Sequence, residues 1–346
     1  MGVVKLGDVA RESRLKWTKS KQDVPIVGLE HLIPDEIRFD AYDINTDNTF
    51  SKRFVKGQVL FGRRRAYQRK AAIAEFDGIC SGDITVIEAI EGKMVPELLP
   101  FIIQTPVFFD YANRGSAGSL SPRVKWEHLV DYEFELPPLE EQKILADKLW
   151  AAYRLKEAYK KLLDATDEMV KSQFIEMFKG DNQVPLGDIC NIEKGATITR
   201  NDVLPGEVPV VAGGQEPSCY HNVANREAGA ITVSASGAYA GYINFWNCPI
   251  FASDCNTIIS KDDEKTDQTF VYFGLRAMQK QIYGLQKGGA QPHVYGKDLQ
   301  KFMFPCPSYA KQIEFSKMAK QADKSKFELR KSIDAIDKVI KSLINN

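Results

Sequence analysis

Two stretches of the 346-residue chain match one another without a gap at an offset of 170 positions. Leu163-Asp164-Ala165-Thr166-Asp167 aligns with Ile333-Asp334-Ala335-Ile336-Asp337, Lys171-Ser172 with Lys341-Ser342, and Phe134, Pro137 and Gln142 with Phe304, Pro307 and Gln312. Upstream, Leu6-Gly7-Asp8-Val9 parallels Leu186-Gly187-Asp188-Ile189, and Val24-Pro25-Ile26-Val27 parallels Val208-Pro209-Val210-Val211. Between them Gly57, Ala66-Tyr67, Ile79 and Asp83 find counterparts in Gly229, Ala238-Tyr239, Ile250 and Asp254. Self-similarity that fills half the chain means that one folding unit occurs twice, and each copy is long enough to bury a core of its own. Four segments follow: a globular unit over 1–138, a helix over 139–180, a second globular unit over 181–307 and a second helix over 308–346.

The helices carry their own periodicity. No Gly or Pro interrupts 139–178, and positions 145, 149, 152, 156, 159, 163, 166, 170 and 173 advance by alternating steps of four and three, seven of the nine being apolar or Thr. The second copy reads Phe315, Ala319, Ala322, Lys326, Leu329, Ile333, Ile336, Ile340 and Leu343 on the same spacing. Two apolar positions in seven, with Lys and Glu elsewhere, is too narrow a stripe for a helix buried all round, and it reads as a coiled-coil seam. Leu145, Leu149, Leu163 and Val170 on the first helix, and Phe315, Leu329, Ile333, Ile336 and Ile340 on the second, are the seam and partner-binding candidates. Two equal seams on one chain pair intramolecularly at high effective concentration. The second globular unit starts where the first helix ends and its own helix must run back, so the pair is expected to be antiparallel, a rod of about 38 residues and roughly 57 Å with a globular unit at each end. Pro137-Pro138, Pro305 and Pro307 mark the helix starts and Gly180 the first helix end.

The globular units read as mixed α+β. Strands are expected over 24–29, 57–62, 71–74 and 83–89, followed by a helix over 95–113; the second copy gives 208–212, 229–234, 241–245 and 255–259, then a helix over 267–283. Small-residue loops at 115–121 and 287–291 precede the closing strands.

Forty-six Lys plus Arg balance forty-six Asp plus Glu, so no global field steers the chain and any nucleic-acid site must be local. Residues 51–70 hold eight bases and no acid, with Phe54, Phe61 and Tyr67 interleaved. Lys52, Arg53, Arg63, Arg64, Arg65, Tyr67, Arg69 and Lys70 are the DNA-contact candidates, Arg being able to grip a guanine edge with two hydrogen bonds; a solvated charged hairpin is the plain alternative. The second copy has no such cluster. Ser234, Ser236 and Tyr239 stand at the matching place and suit either DNA contact or a polar loop.

Signs of catalysis are sparse. No Asp-Pro-Pro-Tyr or Asn-Pro-Pro-Tyr run, dinucleotide-type glycine turn or phosphate loop is present. Glu91-Gly92-Lys93 downstream of Asp83 imitates the carboxylate and lysine set of a magnesium-dependent nuclease, a short pattern common by chance. His31, His128, His221 and His293 are scattered, and Cys219 with His221 reads as structural. The six cysteines show no two-residue spacing and the apolar runs are far shorter than a membrane span, so a cytoplasmic protein with reduced thiols and no membrane partner is expected.

Four stretches carry a family resemblance. They are Val59-Leu60-Phe61-Gly62-Arg63-Arg64-Arg65-Ala66-Tyr67, Asp77-Gly78-Ile79-Cys80-Ser81-Gly82-Asp83, Gly115-Ser116-Ala117-Gly118-Ser119-Leu120-Ser121-Pro122-Arg123 and Leu136-Pro137-Pro138-Leu139-Glu140-Glu141-Gln142. Together they resemble the specificity subunits of type I restriction-modification systems across nearly the whole chain. The second copy departs, with Ala252-Ser253-Asp254 in place of Ser81-Gly82-Asp83 and Gly288-Gly289-Ala290 in place of the longer loop. The resemblance implies an α+β chain in which two α/β target-recognition domains in tandem are separated by two long antiparallel coiled-coil helices. It implies a DNA-reading subunit that is not itself an enzyme: each domain reads half of a bipartite double-stranded target, and the helices set the spacing. Modification subunits, two in number, would dock on the helices. This chain would hold no cofactor; S-adenosylmethionine, ATP and magnesium belong to the modification and restriction subunits. The rival readings are a stand-alone nuclease working through Asp83, Glu91 and Lys93, and a coiled-coil scaffold that never touches DNA.

Overall fold

A computed structural model describes residues 2–345. The chain divides into two compact units, Met1–Glu157 with Asp334–Asn346, and Ala158–Ile333. Each long helix, Leu139–Met177 and Tyr309–Asn345, therefore lends one end to each unit.

In the first unit, Val59–Gly62 lies between Ile84–Ala89 and Ala71–Ile73, with Ala10–Glu12 on the outer side of Ile84–Ala89, all antiparallel. Successive side chains on a strand point to opposite faces. Val59 and Phe61 thus enter a core shared with the helices, while Leu60 enters a second core against a small sheet of Ile26–Val27, Gly78–Cys80 and Lys52–Phe54. Both faces of the main sheet are covered, which is why its central strand is apolar without alternation. The second unit repeats the plan, with Cys190–Lys194, Cys255–Ser260, Ala230–Ser234 and Ile243–Trp246 in that order. Its small sheet keeps the parallel pair, Val208–Val211 with Phe251–Ala252, but adds its third strand, Cys219–His221, on the opposite edge from the first unit.

The helix expected over 95–113 is two helices, Leu99–Ile103 and Pro106–Arg114. Pro106 disfavours helical backbone at Thr105 and brings no N–H of its own, and the extended Thr105 caps the new helix by accepting the Phe108 N–H at 3.2 Å. The helix expected over 267–283 likewise divides into Gln268–Ala277 and Gln279–Tyr283, its start capped by the Asp267 carboxylate on the Phe270 N–H at 2.7 Å.

A short antiparallel ribbon closes each globular part: Gly2–Lys5 with Glu133–Leu136, and Gln183–Pro185 with Met303–Pro305. A buried glutamine then fixes each long helix start. Gln142 accepts the Val95 N–H at 2.9 Å and donates to the Pro137 carbonyl at 2.9 Å; Gln312 does the same with Asp267 and Pro307 at 2.9 and 3.0 Å.

The long helices do more than pair with each other, which revises the simple seam. Leu149, Trp150 and Tyr153 are buried in the first core, Trp150 edge-on to Phe101 at 5.0 Å, with Leu145, Ile340 and Leu343 packed against the same core. Val170, Phe174, Phe315, Ala319 and Ala322 are buried in the second core, while Leu163, Leu329, Ile333 and Ile336 are half-buried. Within each unit the two helix segments run antiparallel, and an equivalent lysine–aspartate contact joins them. Lys156 Nζ meets Asp337 at 2.6 Å in the first unit, and Lys326 Nζ meets Asp167 at 2.6 Å in the second.

Candidate nucleic-acid interface

The chain leaves strand Val59–Gly62 through Arg63-Arg64-Arg65, makes one tight turn at Ala66–Gln68, and returns through Arg69-Lys70 to Ala71–Ile73. The Gly62 N–H donates to the Lys70 carbonyl at 2.8 Å and closes this loop. A second loop lies against it. Ala117 and Arg123 exchange backbone hydrogen bonds of 3.0 and 2.9 Å, Arg123 also bridges to Arg64, and the Arg65 N–H donates to the Pro122 carbonyl at 2.8 Å. Asp83 completes the cluster, its carbonyl accepting the Arg63 N–H at 2.9 Å.

The second domain builds the same frame from different side chains. Lys287 and His293 exchange backbone hydrogen bonds of 2.9 and 2.8 Å, Ser236 bridges to His293, the Gly237 N–H donates to the Pro292 carbonyl at 3.0 Å, and the Ala235 N–H to the Asp254 carbonyl at 3.1 Å.

Charge organises the first cluster around Asp83. Its carboxylate accepts from Arg123 Nε at 2.7 Å and Arg64 Nη1 at 3.3 Å, and Arg64 Nη2 donates to Ser121 Oγ at 3.0 Å. Burial by itself would raise the Asp83 carboxyl, but the Arg123 guanidinium and then Arg64 outweigh it and hold the group below the ordinary carboxylate range. In the second domain the Ser236 hydroxyl donates to the Asp254 carboxylate at the equivalent place.

The run of bases over 51–70, unopposed in sequence, is not unopposed in the fold. Acids distant in sequence come to meet the bases: Asp35 on Arg69 at 2.6 Å, Glu12 on Lys52 at 3.3 Å and Asp77 on Arg53 at 3.4 Å, besides Asp83 on Arg64. Lys52 and Arg53 are strand neighbours and so point to opposite faces. Lys52 Nζ reaches the Ile84 carbonyl beside Asp83 at 2.7 Å, whereas Arg53 turns to Asp77 and stands outside the cluster. Lys70 Nζ is held by the Leu29 carbonyl at 2.7 Å, and Arg63 Nε by the Val124 carbonyl at 3.2 Å. Tyr67 projects from the turn, 58% exposed, and Tyr239 from the matching turn, 46% exposed. Ser234 is corrected from a surface contact to a frame residue: it is 4% exposed and its hydroxyl donates to the Gly214 carbonyl at 3.4 Å. Sequence reasoning passed over Arg123, Ser121 and His293, although the motif Leu120-Ser121-Pro122-Arg123 held the signal.

The nuclease reading loses its metal site. Asp83 precedes strand Ile84–Ala89 and Glu91 follows it, and a strand of that length separates its ends by about 20 Å, too far for both carboxylates to grip one ion. Asp83 is already bound to two arginines. Among the described residues, the carboxylate and imidazole atoms near enough to share an ion belong to Glu30, His31 and Asp43. His221 is structural, its Nδ1 accepting the Leu204 N–H at 3.0 Å. No helix of the described residues is long and apolar enough to cross a membrane.

Two copies of one α+β domain, each holding loops at the ends of inner sheet strands and each including segments of both long helices, define a tandem-domain protein. The family model for the type I restriction modification DNA specificity domain matches residues 1–165 and again 180–337, and the chain belongs to that family as a type I specificity subunit. It is 25% identical over 132 residues to the EcoDI type I restriction enzyme specificity subunit of Escherichia coli, a match covering 37% of this chain and 29% of that protein. A relative from Methanocaldococcus jannaschii that carries the specificity-subunit name MjaX is 23% identical, over 95% of this chain and 87% of its own length. The crystal structure of the type I S subunit from M. genitalium shares the fold, with a TM-score of 0.66 and 13% identity over 99% of this chain and 95% of that one. A chain from a structural study of complex assembly in a type I restriction-modification system shares it with a TM-score of 0.56 and 17% identity, over 99% and 96%.

Proposed function

We propose that this chain reads a bipartite double-stranded DNA target, one half-site per domain, without catalysing a reaction itself. The observation that carries the reading is the repeated frame. One backbone scaffold presents Arg64, Arg65, Tyr67 and Arg69 in the first domain and Ser236 and Tyr239 in the second, so two different surfaces are offered by one fold. Arg65 and Arg69 suit phosphates and guanine edges, Arg64 adds charge from a side chain whose terminal nitrogens are held by Asp83 and Ser121, and Tyr67 and Tyr239 suit sugar and base faces. Lys70 and Arg63 contribute charge from positions already tied to carbonyls.

The long helices set the distance between half-sites and receive the modification subunits. In favour of docking, Leu155, Leu162 and Met169 lie exposed at seven-residue spacing on the first helix, a second stripe outside the buried seam. S-adenosylmethionine, ATP and magnesium enter the reaction on the modification and restriction subunits, in the reducing cytoplasm. The test is to co-express the chain with its modification subunit and select from a random-sequence duplex library. A stable complex enriching a two-part motif with a fixed gap is expected; a folded complex that enriches no motif refutes the reading.

A further inference from the structure

Arg123 sits where three elements of the first cluster meet, its backbone paired with Ala117 and bridged to Arg64. Its Nε is spent on Asp83, while its two terminal nitrogens have no partner among the described residues and the side chain is 46% exposed. A guanidinium gripped through Nε presents its terminal nitrogens as a fixed two-donor fork, the geometry that matches O6 and N7 of guanine. Residue 293 occupies the same place in the second domain, paired with Lys287 and bridged to Ser236. The His293 ring lies parallel to the ring of the exposed Tyr295, with centroids 6.0 Å apart, and neither ring nitrogen is hydrogen-bonded among the described residues.

We infer that Arg123 and His293 are the paired base-reading positions of the two domains, Arg123 taking a guanine through two hydrogen bonds and His293 a base edge through one. Asp83 is the positioning residue for Arg123. The inference rests on the DNA-reading function proposed above and names residues through which that function discriminates. It also explains why the first domain devotes a half-buried carboxylate to an arginine at this place: a fork that swivels cannot distinguish guanine from other acceptors, and the short Nε contact restrains the swivel.

The experiment uses the full chain in complex with its modification subunit and a random-sequence duplex library, comparing the parent with Arg123→Lys, Arg123→Ala, Asp83→Asn and His293→Ala. Lysine keeps the charge and loses the fork. For Arg123→Lys, overall affinity within a few-fold of the parent is expected, with guanine preference at one position of one half-site falling on the order of 10- to 100-fold. Asp83→Asn should relax that same position, with any further change confined to the same half-site because Asp83 also holds Arg64, whereas loss of a merely structural carboxylate would lower stability without changing the motif. His293→Ala should relax one position of the opposite half by roughly 10-fold. Uniform loss of affinity with an intact motif would make Arg123 a phosphate contact and overturn the inference. An unchanged motif in all variants overturns it while leaving the DNA-reading function standing, and a parent complex without a motif overturns both.

Discussion

Arg65 and Arg69 in the first domain, and Gly237 and Gly241 in the second, stand at matching turns of matching loops. All four have left-handed backbone, with φ of 54° and 56° for the arginines against 81° and 91° for the glycines. That conformation costs an L side chain about 1–2 kcal/mol and glycine almost nothing. The second domain makes the turn in the unstrained way. The first keeps a guanidinium at each strained position, and one of them, Arg69, lies over the Phe109 ring at 5.6 Å while its Nε faces Asp35. Strain retained where a strain-free solution exists in the same chain points to selection for what the side chain does. The two domains share a frame and differ in what they present, as expected if each reads a different half-site.

The largest test of that comparison concerns the cores beneath the loops. If the domains are copies with separate cores, Phe174→Ala should destabilise the second by about 3–5 kcal/mol and Trp150→Ala the first by a similar amount. Phe174 is ringed by Phe178, Phe270, Phe304 and Phe315, and Trp150 by Phe101 and Tyr153. Hydrogen exchange resolved by peptide should show weakened protection in the mutated domain alone; equal weakening in both would break the picture of independent cores. A smaller effect separates the two lysines of the helix seams. Lys326 neutralises both Asp167 and Asp323, whereas Lys156 meets Asp337 alone among the described residues. Lys326→Ala leaves two acids without their partner and should cost about 2 kcal/mol, between the values for exposed and buried pairs. Lys156→Ala should cost less, and a thermal melt ranking them the other way would remove the distinction.

Much of this was legible in the sequence for a physical reason: repeats and heptads are local patterns, and local patterns survive without coordinates. Gln142 and Gln312 were visible as repeated letters, and their identical roles at the two helix starts explain the repetition. Three things were not legible. Thr105-Pro106 broke a helix that apolar periodicity carried through, because capping and proline sterics override periodicity. The basic run of 51–70 looked unopposed because Glu12, Asp35, Asp77 and Asp83 lie outside it and arrive by folding. Arg123 ends one of the family-like stretches, but no acid stands near it in sequence, and its importance emerges only when Asp83, forty residues earlier, is placed beside it.

The strain comparison can be sharpened directly by giving the first domain the second domain's turns. Arg65→Gly and Arg69→Gly remove the backbone penalty but also remove side-chain packing and gain unfolded-state freedom, so a net gain of up to about 1 kcal/mol each is expected. DNA affinity should fall at the same time, and the slope of log affinity against log salt should shallow by about one for each phosphate that is no longer neutralised. Stability and binding moving in opposite directions is the signature of a strained functional loop. If both fell together, the arginines would be holding the loop and not presenting it.

The smallest effect lies in acid and tests the clamp that the second domain lacks. The Asp83 carboxyl is held below its ordinary value of 3.8, the Arg123 and Arg64 interactions outweighing burial. A carboxylate with a depressed folded-state pKa contributes stability that is fully present above the unfolded value and is lost as the pH falls through the folded one. Asp83→Asn should therefore melt below the parent by a constant margin from pH 8 down to about 5, and the margin should close only on acidification beneath 3.8. A margin that closed near neutrality would assign the effect to another group.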